Sequence, residues 1–267
     1  MGNSSSADGL IVFTTTFYKS SEEVRFRECC AMLRHARAHG VRVVVVDASP
    51  DPAIRAAMSD AGAHAVREQT AKGRKGAALR EALGLAAGIA DARAPGDERG
   101  AGDVLLCWQE PEKADMPRHW PAVLRAADRA RADVIVPARD ARLFRRTYPL
   151  EQFHSESYAN LYLDCAARAH GFAAPLDWHF GPFALRRRHA AVWLAHAGDL
   201  WDAQVVPVVH AVRAGLVVGA CHVPFEAPRA MKEEEEGNLA FVEKRLMQIN
   251  FLDPKVIAAW TEDRTAQ

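Results

Sequence analysis

Two carboxylates separated by one proline, Glu110-Pro111-Glu112, follow the apolar run VLLCW and precede Lys113. Side chains at i and i+2 of an extended segment point the same way. The pair is therefore a candidate grip on a divalent cation and a diphosphate together. The alternative is an exposed charged loop in which Lys113 pairs Glu112 to little effect. A second candidate is AKGRKGAALRE, where Lys72, Arg74, Lys75 and two glycines stand ahead of a helix start. Backbone N–H groups and the helix dipole favour anions there, although a solvated basic turn has the same composition. The loop is neither a Walker A sequence nor GxGxxG, which removes the main support for a P-loop NTPase or an NAD-binding enzyme. The third candidate is Asp47, at the end of VRVVVVD. An acid at a strand exit accepts hydrogen bonds from a base or ribose, or caps the helix that starts near Pro52.

The elements that must position these residues alternate through the first 110 residues. Strand runs are expected at 9–16, 41–47, 63–68 and 103–108, with helices at 20–40, 52–62 and 75–90. Continuous β-branched runs such as VRVVVVD are the kind buried in parallel sheets, and the alternation predicts a Rossmann-like α/β sheet. Ligands bind such sheets beyond the carboxyl ends of the strands, where Thr14–Thr16, Asp47, Lys72–Gly76 and Glu110–Lys113 all fall. Beyond residue 114 the rhythm changes. Helices are expected at 117–131, 150–170 and 202–215, strands at 133–138, 181–187 and 216–225, and one or two helices over 238–263. Glu233–Glu236 reads as a solvated helix start. The chain is expected to form one domain over 9–267 behind a floppy segment 1–8, with a binding half at 9–113, a second half at 114–230 and a helical tail at 231–267.

Composition limits the partners. Lys+Arg and Asp+Glu are 34 each, so no global field recruits nucleic acid or an anionic membrane. Five cysteines without a CxxC predict reduced thiols and a cytoplasmic protein. No run reaches the length of a membrane span. MGNSSS fits the N-myristoylation pattern, but serine-rich starts are common in disordered tails. No Cys/His set suggests zinc.

The ordered set VVVVDASPD, KGRKGAALREAL, DVLLCWQEPEK, GPFALRR and LWDAQVVPVVHAVRAG resembles the GT-A glycosyltransferases, especially family 2 and the related mannosylglycerate-synthase-like enzymes, over roughly residues 9–225. The resemblance implies a GT-A fold and transfer of a sugar from a nucleotide-diphosphate sugar to a small-molecule or other acceptor. Asp47 would read the base, with Thr15, Lys72, Arg74, Lys75, Glu110 and Lys113 around the rest of the donor. Glu110-Pro111-Glu112 stands in the place of the DXD motif that binds Mn²⁺ or Mg²⁺. Glutamates replace its aspartates, and Lys113 is near enough to offset or replace metal charge. The histidine that often completes the metal site would have to be supplied by His222, or Glu226 would serve instead. On the acceptor side, Gly181 would let backbone approach a ligand, and Trp178 would stack on a sugar unless it is a core residue. Asp177 and Asp202 are the candidate catalytic acids, although Asp202 also suits the N-cap of its helix. A sugar-phosphate nucleotidyltransferase is the alternative, but TTTFYKSS lacks the Gly-rich loop after the first strand. A degenerate, non-catalytic nucleotide-sugar-binding protein is a third, and a homodimer is compatible with each.

Overall fold

The computed structural model describes residues 9–71, 73–92 and 100–262. The expected 1–8 tail and Lys72 lie outside the described residues. Seven strands form one sheet: β1 (Leu10–Thr16), β2 (Val43–Asp47), β3 (Ala65–Glu68), β4 (Leu105–Trp108), β5 (Val134–Arg139), β6 (Phe183–Arg186) and β7 (Val218–Val223). Their order is β3-β2-β1-β4-β6-β5-β7. β6 runs antiparallel to β4 and β5, and every other pairing is parallel.

The two-residue period of the strands divides the core. Leu10, Val12, Val43, Val45, Leu105 and Cys107 face one layer, formed with α1 (Val24–Ala38), α2 (Pro52–Ala61) and α4 (Trp120–Ala130). Ile11, Phe13, Val44, Val46, Leu106 and Trp108 face the other. That layer contains α3 (Lys75–Asp91), α6 (Leu150–Ala169), α7 (Ala190–Ala195), α8 (Asp202–Arg213) and α10 (Leu239–Thr261). Burial on both faces explains why these strands read as unbroken apolar runs. Phe13, Trp108, Phe183 and Trp193 continue as an aromatic row with ring centroids 5.0–6.4 Å apart.

Local chemistry sets the helix ends. Asp51 caps α2 through the Ala53 N–H at 2.9 Å, with Pro52 in the first turn and Gly62 left-handed at the other end. Three short helices were not legible in the sequence: α5 (Ala141–Thr147), α7 and α9 (Arg229–Glu235). Seven residues or fewer give too little periodicity to separate a helix from a loop. The expectation for Glu233–Glu236 is corrected, because Glu233–Glu235 end α9 and Glu235 is buried. Among the described residues no helix is long and apolar enough to cross a membrane.

Candidate functional site

Crossing from β1 to β4 reverses the direction in which the sheet is built, which opens a crevice at the strand ends. A cleft lies there, lined by Thr15 to Tyr18 at the end of β1, Gln69 after β3, Arg74 and Lys75, and Glu110 to Glu112. A second cavity, of about 880 Å³, lies between the 110–113 segment, Arg139 of β5, α6 and the α9–α10 tail. Arg25, Lys75, Glu110 and Glu112 line both. The two spaces meet at these four side chains.

Glu110 to Lys113 form a turn rather than an extended segment: the Lys113 N–H donates to the Glu110 carbonyl at 3.1 Å, with Pro111 at the favoured second position. The expected i, i+2 alignment therefore gives way to separate engagements. Glu110 accepts from Gln204 Nε2 at 2.9 Å and pairs with Lys75 at 3.7 Å and Lys113 at 3.8 Å. Glu112 accepts from Arg25 at 3.0 Å, and Arg25 also donates to Glu235 at 2.6 Å. Burial would raise the Glu110 carboxyl, but Lys113 and Lys75 hold it below its ordinary value. Burial works against the Lys113 ammonium, yet Tyr148, Glu110 and Glu112 hold it above the usual lysine value. Its Nζ lies 4.8 Å from the Phe180 ring centroid.

Deeper in the second cavity, Arg139 donates to Asp177 at 2.6 Å and to Glu156 at 2.7 Å, and its guanidinium covers the Phe144 ring at 3.5 Å. Glu156 is fully buried and also pairs with Arg245 at 2.7 Å. Burial alone would raise both carboxyls, but Arg139 holds Asp177 low, and Arg245 and Arg139 do the same for Glu156. Seven lysines and arginines face four glutamates around this cavity. Lys244 makes no carboxylate ion pair within 4 Å among the described residues, and burial lowers its pKa.

Several sequence expectations change at this level. Thr15, Arg74 and Lys75 border the strand-end cleft. Asp47 lies beneath it, fully buried, accepting from Thr16 Oγ1 at 2.7 Å, Ser49 Oγ at 2.6 Å and Arg55 at 3.3 Å. Capping of α2 belongs to Asp51 instead. The start of α3 already has an anion, because the Arg74 N–H donates to the Asp199 carboxylate at 3.1 Å. A Cβ at Gly76 would collide with the Gly198 backbone, so that glycine serves the approach of this chain's own loop. Gly181, at φ 99°, likewise makes room for the Glu110 carboxylate rather than for a ligand.

Trp178 is a core residue, 3% exposed, whose indole donates to Asp164 at 2.8 Å. Asp177 is held by Arg139 and Asn160. Asp202 accepts from the Leu200 N–H at 3.0 Å and from Lys255 at 3.1 Å. It is the first residue of α8 and does not cap it, because the N-cap position is Trp201 and Leu200 lies before the helix. None of these three lines either cavity. The LWDAQ motif contributes Gln204 in place of Asp202. Arg25, Tyr148, Arg139, Glu156, Glu235, Lys244 and Arg245 were missed, since single residues spread over five elements leave no motif.

A divalent ion fits this donor set poorly. Among the described residues no group of three or more His, Cys, Asp or Glu side chains is placed to hold a metal ion. His222 is exposed on β7, opposite Ala138, and Glu226 pairs with Arg146. Glu110 Oε2 is buried without a hydrogen-bond partner. A dication there would share its oxygens with two ammonium groups under 4 Å away, whereas a ligand hydroxyl would meet no repulsion. Cys29 and Cys107 are buried and their thiols are pushed well up, which disfavours thiol chemistry at these two residues.

A mixed seven-stranded sheet with one antiparallel strand, flanked by ten helices among the described residues, is the GT-A glycosyltransferase fold. Glucosyl-3-phosphoglycerate synthase from Mycobacterium tuberculosis, 12% identical, matches with a TM-score of 0.59 over 96% of this chain and 81% of that one. That structure contains Mn²⁺, uridine-diphosphate-glucose and phosphoglyceric acid. The same synthase with Mg²⁺ and uridine diphosphate matches with a TM-score of 0.55 at 12% identity, over 96% of this chain and 80% of that one. A mycobacterial protein, 14% identical, matches with a TM-score of 0.60 over 97% of this chain and 78% of its own. No protein-family profile and no curated protein sequence matches the chain.

Proposed function

We propose that the chain is a glycosyltransferase that moves a sugar from a nucleotide-diphosphate donor to an acceptor carrying a negative charge. The observation that carries this reading is the shared wall: one cleft at the strand ends and one basic cavity meet at Arg25, Lys75, Glu110 and Glu112. The nucleoside would lie along the cleft between the 15–18 segment and Gln69, which places its diphosphate at the wall. The acceptor would occupy the second cavity, its anionic group toward Lys244 and Arg245 of α10. Transfer breaks the bond between the anomeric carbon and the diphosphate oxygen, which keeps the electron pair. A bond from the acceptor hydroxyl oxygen forms in its place, and the proton of that hydroxyl passes to the released diphosphate or to water. Glu110 would accept a hydrogen bond from a sugar or acceptor hydroxyl at its unpartnered Oε2. Cations at the wall would stabilise the charge that develops on the leaving group.

The experiment is a thermal-shift panel of UDP-, GDP-, CMP- and dTDP-sugars, followed by assay of nucleotide release with phosphorylated and carboxylated acceptors. A nucleotide that binds the native state raises the melting temperature by mass action. If none shifts the melting temperature and no release is detected, the reading fails.

A further inference from the structure

The junction of the two cavities carries its own counter-charge. Arg25 and Lys75 line both spaces, and each already faces a carboxylate of the 110–113 turn. Lys113 closes the far side of Glu110. Arg25 is placed by α1, with its guanidinium 5.7 Å from the Phe241 ring centroid of α10 and its second nitrogen on Glu235. It is a held group rather than a loose surface arginine. A guanidinium presents a planar fork that matches two phosphate oxygens as well as it matches a carboxylate. A diphosphate arriving at this wall can therefore exchange with Glu112 on Arg25, while Lys75 approaches from the start of α3.

Resting on the reading above, we infer that Arg25 and Lys75 neutralise the diphosphate of the donor in place of a divalent metal ion. Glu110 then holds Lys75 in position, Glu112 is the counter-ion that the diphosphate displaces from Arg25 while Glu235 keeps that arginine in place, and Lys113 fixes Glu110. Arg25 is the new element. It stands 85 and 87 positions before the two glutamates in the chain, and only the fold brings it to them.

The test is titration calorimetry with UDP and uridine, in EDTA and in saturating Mn²⁺, followed by GDP, CDP and dTDP if UDP gives no heat. The inference expects UDP affinities in EDTA and Mn²⁺ to agree within about threefold. Arg25→Met and Lys75→Met should each weaken UDP by about tenfold or more and leave uridine unchanged. The ligand-free melting temperature of both variants shows that they fold, and either one suffices. Glu112→Gln separates the two explanations by sign. Removing a carboxylate that competes for Arg25 should keep or tighten UDP binding in EDTA, whereas removing a metal ligand should abolish a Mn²⁺-dependent gain. Binding of UDP only in Mn²⁺, lost in Glu112→Gln, would overturn the inference and leave the nucleotide-sugar reading standing. Absence of binding by all four diphosphates under both conditions would remove both.

Discussion

Asp47→Ala tests whether the acid at the end of β2 holds the cleft or reads the ligand. Its carboxylate is fully buried and receives two hydroxyls, from Thr16 at 2.7 Å and Ser49 at 2.6 Å, and the Arg55 guanidinium at 3.3 Å. After truncation Thr16 keeps only a weak contact to the Met58 sulfur at 3.8 Å, so most of one buried-donor penalty, about 1–3 kcal/mol, applies in full. The Ser49 hydroxyl, which accepts from the Tyr18 N–H at 2.9 Å, likewise loses the acceptor for its own hydrogen, whereas Arg55 keeps the Ser49 carbonyl and Glu68, so its loss is smaller. The expected destabilisation is about 3 kcal/mol for Asp47→Ala and about 1 kcal/mol for Asp47→Asn, which preserves an acceptor. Urea titration should show lower midpoints at an unchanged slope. Nucleotide affinity should weaken in the same order, because the Asp47–Ser49–Tyr18 chain fixes the backbone that lines the cleft. A loss of stability below about 1 kcal/mol together with a large loss of affinity would refute this reasoning and return Asp47 to direct contact with the base.

Gly181→Ala forces a side chain into a left-handed position against the Glu110 carboxylate, and should cost about 1–3 kcal/mol in chemical denaturation and most of the turnover. Asp202→Asn keeps an acceptor for the Leu200 N–H, so it should retain most of kcat; a thousandfold drop would restore Asp202 as the catalytic base. Stability should fall in two stages on acidification, read as melting temperature against pH. Burial holds His196 and His210 below the ordinary value of 6.5, so the unfolded chain takes their protons first and stability declines as pH falls below about 6.5. Glu110, Glu156 and Asp177 are also held low, so their contribution is complete above about pH 4.5 and is lost as pH falls through the folded values. A single transition near pH 4, unchanged by His196→Asn, would refute the histidine stage.

The sheet was legible because its strands are buried on both faces and leave unbroken apolar runs, and because Gly62 marks the end of α2, although the cap at its start is Asp51 rather than the candidate Asp47. That Thr15, Arg74, Lys75, Glu110 and Glu112 gather beside one cleft at the strand ends was legible for the same reason. Orientation was not. Glu110 and Glu112 read as an aligned pair until the turn closed by the Lys113 N–H is known. Gly181 signalled a close approach correctly, but a glycine does not say what approaches, and here it is Glu110.

In the LWDAQ segment the side chain that reaches the 110–113 turn is Gln204, two positions after the expected Asp202. Asp202 is engaged by the Leu200 N–H, from the loop before α8, and by Lys255, which balances its charge. Two positions later the chain has turned roughly 200° about the helix axis, and Gln204 is the residue that reaches Glu110. The same prior engagement governs the second cavity. Arg139 is spent on Asp177 and Glu156, and Arg245 on Glu156, so these groups set the shape of the wall more than its field. Breaking such a buried pair is costly because the remaining charge has no partner. Among the described residues Lys244 of α10 makes no carboxylate ion pair within 4 Å, so on the reading proposed above an anionic acceptor group would meet it without first displacing a carboxylate.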